Sequence, residues 1–167
     1  MGIAADYRGP SGKILPGAKM SAAEIIEKLR PLFAQQKEVV LAYLFGSYAR
    51  GKVRETSDID VAVLLESDVK GEKLCDAYRD IFLLICEALN TERFDLVLLN
   101  RAPLSLRFEI VSRGKLIYAR DEEILNGFEI DVIRKYQDTA HLRRVQDQYL
   151  KERAREWYSK ERASAPA

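Results

Sequence analysis

One stretch, residues 44–65, most strongly constrains the fold, because it joins two apolar runs through a polar loop. The run that enters the loop, 39–45, and the run that leaves it, 59–65, are both typical of buried strands. Gly46 and Ser47 directly follow the first run, and two acids stand at the start of the second. The stretch therefore predicts two strands whose connection brings a glycine–serine turn close to a pair of carboxylates.

The two acids of this stretch are Asp58 and Asp60. Residues i and i+2 of a strand point to the same face, so these two carboxylates are expected side by side. Like charges at that spacing repel each other and need compensation, and oxygen ligands suit Mg²⁺, which also binds substrate phosphates. An alternative for Asp58 is that it merely begins a strand at the surface. Two acids on one face after a glycine–serine turn favour metal binding.

The glycine–serine turn predicts a short helix whose backbone N–H groups form a phosphate site. Gly46 as a turn residue and Ser47 as a helix cap are compatible with that role, because the same geometry serves both. Arg50 lies three residues after Ser47 and hence on the same helix face, so it contacts either a phosphate or solvent. Gly51 is expected to let the backbone pass close to a nucleotide, and Ser57 to orient the acid that follows it.

A third apolar run, 93–99, contains a single acid, Asp95. Its apolar neighbours indicate a strand that is buried on both faces, and a buried acid needs a partner, for which the metal pair is the nearest candidate. An exposed acid at a strand edge is the alternative.

The chain is expected to contain an extension, a main domain, a helical segment and a disordered tail, at residues 1–20, 21–120, 121–160 and 161–167. Within 21–167 the periodicity predicts helices at 21–36, 70–90, 103–113 and from 121 onward, and strands at 39–45, 59–65, 93–99 and 116–119. Gly114 is expected to end the third helix in a left-handed conformation.

The composition of the chain argues against several classes of partner and location. Hydrophobic residues make up 47% and the net charge is +1, which gives no electrostatic case for a nucleic-acid or membrane partner. No apolar run is long enough to span a membrane, and the first residues lack the apolar core of a signal peptide, so a cytoplasmic location is expected.

The segment from 140 onward carries charges of both signs and a sparse apolar line, Leu142, Val145 and Tyr149. This line is too weak for a core helix. It suits a partner groove or the seam of a homodimer or hetero-oligomer, and simple docking on the main domain is an equal alternative.

Gly-Ser at 46–47, Arg-Gly at 50–51 and Ser-Asp-x-Asp at 57–60, between two strand-like runs, resemble the DNA polymerase β-like nucleotidyltransferase superfamily. The short chain is similar to its minimal nucleotidyltransferase (MNT) branch, and within that branch most similar to the antitoxins paired with HEPN-domain ribonuclease toxins. The resemblance covers roughly residues 39–119.

This resemblance implies an α/β (α+β) fold, a small mixed sheet of about four strands with helices packed on one face. It also implies two Mg²⁺ ions and transfer of a nucleoside monophosphate. Asp58 and Asp60 match the carboxylates that hold both metals. Asp95 matches the third carboxylate, which binds the catalytic metal and helps deprotonate the acceptor hydroxyl.

For the antitoxin branch, the resemblance implies that ATP is the donor and that a tyrosine of the cognate HEPN toxin receives AMP. Two alternatives stay open. A small-molecule acceptor such as an aminoglycoside usually requires a second domain, and a contact-only antitoxin has no need of three converging acids.

Overall fold

The computed structural model describes residues 20–54 and 56–164. In chain order its elements are α1 (Ala22–Gln35), β1 (Val39–Phe45), α2 (Gly46–Ala49), β2 (Ile59–Leu65), α3 (Glu72–Leu89), β3 (Phe94–Leu98), α4 (Leu104–Arg113), β4 (Lys115–Ala119), α5 (Glu122–Asp138) and α6 (Ala140–Ser164). Helix α6 continues past the predicted boundary at 160. Most of the predicted extension, residues 1–19, and the end of the predicted tail, 165–167, lie outside the described residues.

The four strands form one mixed sheet in the order β3-β2-β1-β4, which confirms the predicted fold class. Strand β2 runs parallel to β3, and β1 runs antiparallel to both β2 and β4. The central strand β1 is buried along nearly its whole length, which explains its uninterrupted apolar sequence.

Helices cover both faces of this sheet, not one face as the resemblance implied. Residues of α1 and α3 form one core with alternate strand residues such as Val61 and Val63. Residues of α4 and α5 form a second core with the intervening positions, including Tyr43 and Ala62. Because Asp60 alternates with Val61, it shares the α4–α5 face with Ala62.

Helix α1 begins where the sequence predicted, at a capping box. The Glu24 backbone N–H donates to the Ser21 hydroxyl at 3.2 Å, and the Ser21 N–H donates to the Glu24 carboxylate at 2.6 Å. This start orients the buried residues Ile25, Leu29 and Phe33 toward the sheet.

The prediction for Gly114 was wrong. Its φ is −73°, an extended conformation, so it does not form a left-handed stop. Glycine is needed there for space, since a Cβ atom would lie 2.4 Å from the carbonyl oxygen of Ile110 and 3.2 Å from that of Leu44. This close passage lets the chain enter β4 directly from α4.

Helices α5 and α6 are separated at Thr139, so the stretch predicted to be helical from 121 onward forms two helices. Leu142, Val145 and Tyr149 on α6 are 53–63% exposed, so the apolar line is available at the surface. Within the described residues, no helix combines the length and apolar character needed to cross a membrane.

Candidate active site

Strand pairing places the central acid of the site. In the antiparallel β1–β2 ladder Asp60 lies opposite Phe45, the last residue of β1, and in the parallel β2–β3 ladder it lies opposite Asp95. Two carboxylates on neighbouring strands thus meet beside the turn that follows β1.

Gly46 and Asp60 fit together directly. Gly46 has a φ of +65°, and a Cβ atom on it would lie only 1.8 Å from Oδ2 of Asp60. The Asp60 carboxylate therefore occupies the space that any side chain at position 46 would fill. The backbone N–H of Ser47 lies on the same side and lowers the pKa of this carboxyl. The turn predicted to bind phosphate and the acid predicted to bind metal form one unit.

The groups around Asp60 do not fully stabilise the negative charge of its carboxylate, so its pKa is raised. Burial is the main cause that raises the pKa of this carboxyl, followed by the negative charge of Asp95 and, more weakly, that of Asp58. The Ser47 N–H and the Arg50 guanidinium act in the opposite direction and do not cancel the rise. A hard divalent cation would supply the missing positive charge, because every donor here is a carboxylate oxygen.

Asp58 forms an ion pair that the sequence did not indicate. Its Oδ1 lies 3.3 Å from Nε of Arg93, and both side chains are exposed. Among residues 20–54 and 56–164, no three His, Cys, Asp or Glu side chains stand close enough together to hold a metal ion. The structure therefore brings Asp60 and Asp95 into register, whereas Asp58 is engaged by a guanidinium.

The burial argument for Asp95 was wrong. Strand β3 is at the edge of the sheet and alternates, with Phe94 and Leu96 buried and Asp95 exposed. What brings Asp95 to the site is its parallel register with Asp60 and not burial.

The remaining predicted residues lie in the connection between α2 and β2. Arg50 pairs with Glu109 of α4 at 2.9 Å. Gly51 has a φ of +66° and open space around its Cα, so its backbone conformation accounts for the glycine. Ser57 and Arg54 exchange two hydrogen bonds, since the Ser57 hydroxyl accepts from the Arg54 backbone N–H at 2.9 Å and the Ser57 N–H donates to the Arg54 carbonyl oxygen at 3.1 Å. The hydroxyl thus shapes the loop, and none of its described hydrogen bonds goes to Asp58.

Sequence reasoning missed Arg93 and Glu109. Arg93 stands two residues before Asp95, and knowledge that β2 and β3 pair in parallel would have placed it next to Asp58. Glu109 is 59 residues from Arg50, and no local pattern links them.

A mixed sheet whose second strand sets acids against a glycine–serine turn defines a nucleotidyltransferase-type domain. The family model described as "Polymerase beta, Nucleotidyltransferase" matches residues 27–123. The match includes more than half of the chain, and the chain belongs to this family.

Individual proteins that are similar to this chain indicate a more specific class within the family. The chain is 33% identical over 99 residues to the protein adenylyltransferase MntA of Shewanella oneidensis, a match that covers 58% of this chain and 66%, just under two thirds, of that relative. A chain in the crystal structure of a toxin–antitoxin with AMP-PNP is 27% identical with a TM-score of 0.57, covering 78% of this chain and 99% of its own.

A second solved complex contains the tri-AMPylated HEPN toxin of Shewanella oneidensis with an MNT antitoxin. Its matching chain is 26% identical with a TM-score of 0.52, and the match covers 77% of this chain and 95% of that one.

Proposed function

We propose that this chain is a magnesium-dependent nucleotidyltransferase that transfers AMP from ATP to a tyrosine hydroxyl of a cognate HEPN ribonuclease toxin, and so acts as a cytoplasmic antitoxin. The observation that carries the proposal is the Asp60 carboxylate, which is packed against Gly46 and paired in register with Asp95. The similarity to MntA and to the two toxin–antitoxin complexes supports the acceptor class.

The facing carboxylates of Asp60 and Asp95 are oxygen donors that suit Mg²⁺. Together with Asp58, whose carboxylate is paired with Arg93 in this structure, they would hold two Mg²⁺ ions, which when bound neutralise phosphate charge at the reacting centre. For Asp60 the fit follows from its raised pKa, since the neighbouring carboxylates leave negative charge that a cation would offset.

The chain's own groups then have separate tasks. The turn at Gly46 and Ser47, with Arg50, binds and orients the phosphates, helped by Gly51 and Ser57 in the loop. Asp95 is exposed, so an acceptor hydroxyl from another protein can reach it, and Asp95 takes the hydroxyl proton. The acceptor oxygen forms its bond to the α-phosphorus while the bond from that phosphorus to pyrophosphate breaks, and pyrophosphate leaves.

The partner surface is proposed to be α6. The apolar line of Leu142, Val145 and Tyr149 is more than half exposed, as is the adjoining Leu150, and α6 directly follows α5 in the chain. We assign this apolar line to the toxin and not to a second copy of the chain, because two of the structural relatives are toxin–antitoxin complexes.

Transfer of radiolabel tests the proposal. The chain is incubated with α-³²P-labelled ATP, Mg²⁺ and the protein encoded beside it, and label on the partner is measured. Wild type and the control variant Asp131→Asn, which removes an acid of α5, should label the partner. Asp60→Asn should not, and full labelling by that variant would refute the assignment.

A further inference from the structure

Two charged side chains of the proposed site each have a partner of opposite charge that comes from outside the motif. Asp58 is paired with Arg93, which lies just before β3, at 3.3 Å. Arg50 is paired with Glu109 of α4 at 2.9 Å. Each partner has the charge of the ligand proposed for the residue it holds, because Arg93 is a cation beside a metal-binding acid and Glu109 is an anion beside a phosphate-binding guanidinium.

Both ion pairs are open to solvent. The side-chain exposures are 63% and 48% for Arg93 and Asp58, and 42% and 46% for Arg50 and Glu109. Exposed ion pairs of this kind contribute little stabilising free energy, so a multivalent ligand can replace them with a small loss of free energy.

Arg120 shows the contrasting arrangement. It pairs with Glu66 and also donates to the backbone carbonyl oxygens of Lys37 and Val39, which ties together the connections at one end of the sheet. The contacts described for Arg93 and Glu109 include no such backbone anchoring of the guanidinium or carboxylate, so structural support alone does not account for their placement.

We propose that Arg93 and Glu109 are surrogate ligands: in the unloaded protein they neutralise Asp58 and Arg50, and a divalent cation and the nucleotide phosphates displace them on loading. This inference rests on the proposed function. It makes the two residues determinants of ligand affinity, since each competes with the ligand whose charge it imitates.

The competition predicts that removal of either surrogate tightens binding. Arg93→Gln should bind Mn²⁺, measured alone by calorimetry, about two- to fivefold more tightly than wild type, the range that an exposed ion pair supports. Glu109→Gln should bind Mg-ATP more tightly by a similar factor. In 0.5 M NaCl both differences should shrink, because salt screens exposed charges.

Matched controls separate this effect from a change in net charge. Arg79→Gln and Glu87→Gln change the same charges on α3, which packs on the opposite face of the sheet, and they should leave both affinities at wild-type values. Mn²⁺ binding without nucleotide, measured for both variants, adds a second control. Under this condition Arg93→Gln should bind Mn²⁺ more tightly than wild type, whereas Glu109→Gln should not.

The outcomes separate a failure of the surrogate-ligand model from a failure of the proposed function. If wild type binds Mn²⁺ and Mg-ATP but the site variants bind them equally or more weakly, Arg93 and Glu109 support their partners and the surrogate model is wrong, while the proposed function stands. If wild type binds neither ligand, the proposed function fails and the surrogate model fails with it.

Discussion

Gly46 and Gly51 form a matched pair at the residue scale. Their φ values are +65° and +66°, but a Cβ atom on Gly46 would meet the Asp60 carboxylate, whereas one on Gly51 would meet nothing within 4 Å. Alanine at either position should cost about 1–2 kcal/mol in unfolding free energy, because the left-handed conformation is unfavourable with a side chain. Only Gly46→Ala should also displace Asp60 and abolish Mn²⁺ binding.

Urea denaturation and calorimetry on both variants check this expectation. Since the atom nearest the new Cβ is the end of a side chain that can rotate, the two unfolding free energies should stay similar while the metal affinities diverge. Equal Mn²⁺ affinity in the two alanine variants would contradict the assigned contact between Gly46 and Asp60.

Asp60 should leave a signature in the pH dependence of stability. Its pKa is raised above the ordinary 3.8, so the unfolded state releases this proton at lower pH than the folded state does. The free energy of unfolding of wild type, measured without divalent cations, should therefore fall relative to Asp60→Asn as pH rises from below 3.8 through the raised pKa. At neutral pH Asp60→Asn should be at least as stable as wild type.

Asp131 provides the opposite control for that experiment. Lys135 holds the pKa of Asp131 below its usual range, so this acid contributes stability that is lost as pH falls through the lowered pKa. Asp131→Asn should consequently be less stable than wild type at neutral pH, and the difference should disappear in acid. If the stability difference between wild type and Asp60→Asn changed with pH in the same direction as the difference for Asp131→Asn, the burial and charge repulsion assigned to Asp60 would be excluded.

At the same scale, the site shows what a sequence can reveal. Asp58 and Asp60 follow from an i, i+2 spacing and a nearby turn, which are local properties. The pairing of Asp60 with Asp95 depends on the register of two strands, and the contacts of Arg93 and Glu109 depend on tertiary structure. Such contacts have no periodicity that would indicate them.

At the scale of elements, three helices meet around one aromatic ring. Tyr136 of α5 stacks on Phe108 of α4 with ring centroids 3.8 Å apart, and the Arg143 guanidinium of α6 lies 3.5 Å from the centroid of the Tyr136 ring. Arg143 also donates to Thr139 Oγ1 and to the carbonyl oxygen of Tyr136. This cluster sets the direction in which α6 leaves the domain.

Arg143→Gln should loosen that junction. Loss of the cation–π contact and its hydrogen bonds removes about 1–2 kcal/mol, so amides in the first turns of α6 should exchange with solvent roughly tenfold faster. Arg153→Gln is the control, since the described contacts of Arg153 stay within α6, where its guanidinium lies 5.8 Å from the centroid of the Tyr149 ring. Identical exchange rates in both variants would show that Arg143 does not hold α6.

The elements themselves were largely predictable, and the exceptions have physical causes. Strand β1 and helix α3 carry strong periodic or continuous apolar patterns, and both lie where the patterns indicated. Gly114 misled because glycine serves either a positive φ or a close approach, and only the backbone path distinguishes the two. Strand β3 misled because its apolar composition hid its edge position.

At the scale of the whole molecule, the strand order and the identity of the helices on each face could not be derived from the residues alone. The continuous apolar run of β1 indicates that both of its faces are covered, but it does not indicate which elements cover them, and strand order is a matter of long-range pairing. The resemblance supplied the mixed sheet. The structure adds the α4–α5 layer, which carries Glu109 to the site and connects the site to α6.

This architecture separates chemistry, at the sheet, from docking, proposed at α6, so two sets of variants should fail in different ways. Asp95→Asn should bind Mg-ATP and the toxin but transfer AMP about 10²–10⁴-fold more slowly, because general-base help acts in the transition state. Val145→Glu with Leu150→Glu changes side chains that are 53% and 62% exposed, so the fold and Mg-ATP affinity should persist. This double variant should lose toxin binding, measured by co-purification. Both sets should fail to protect cells that express the toxin. Protection by Asp95→Asn at the wild-type level, with transfer undetectable, would mean that contact alone silences the toxin and that the enzymatic role is wrong.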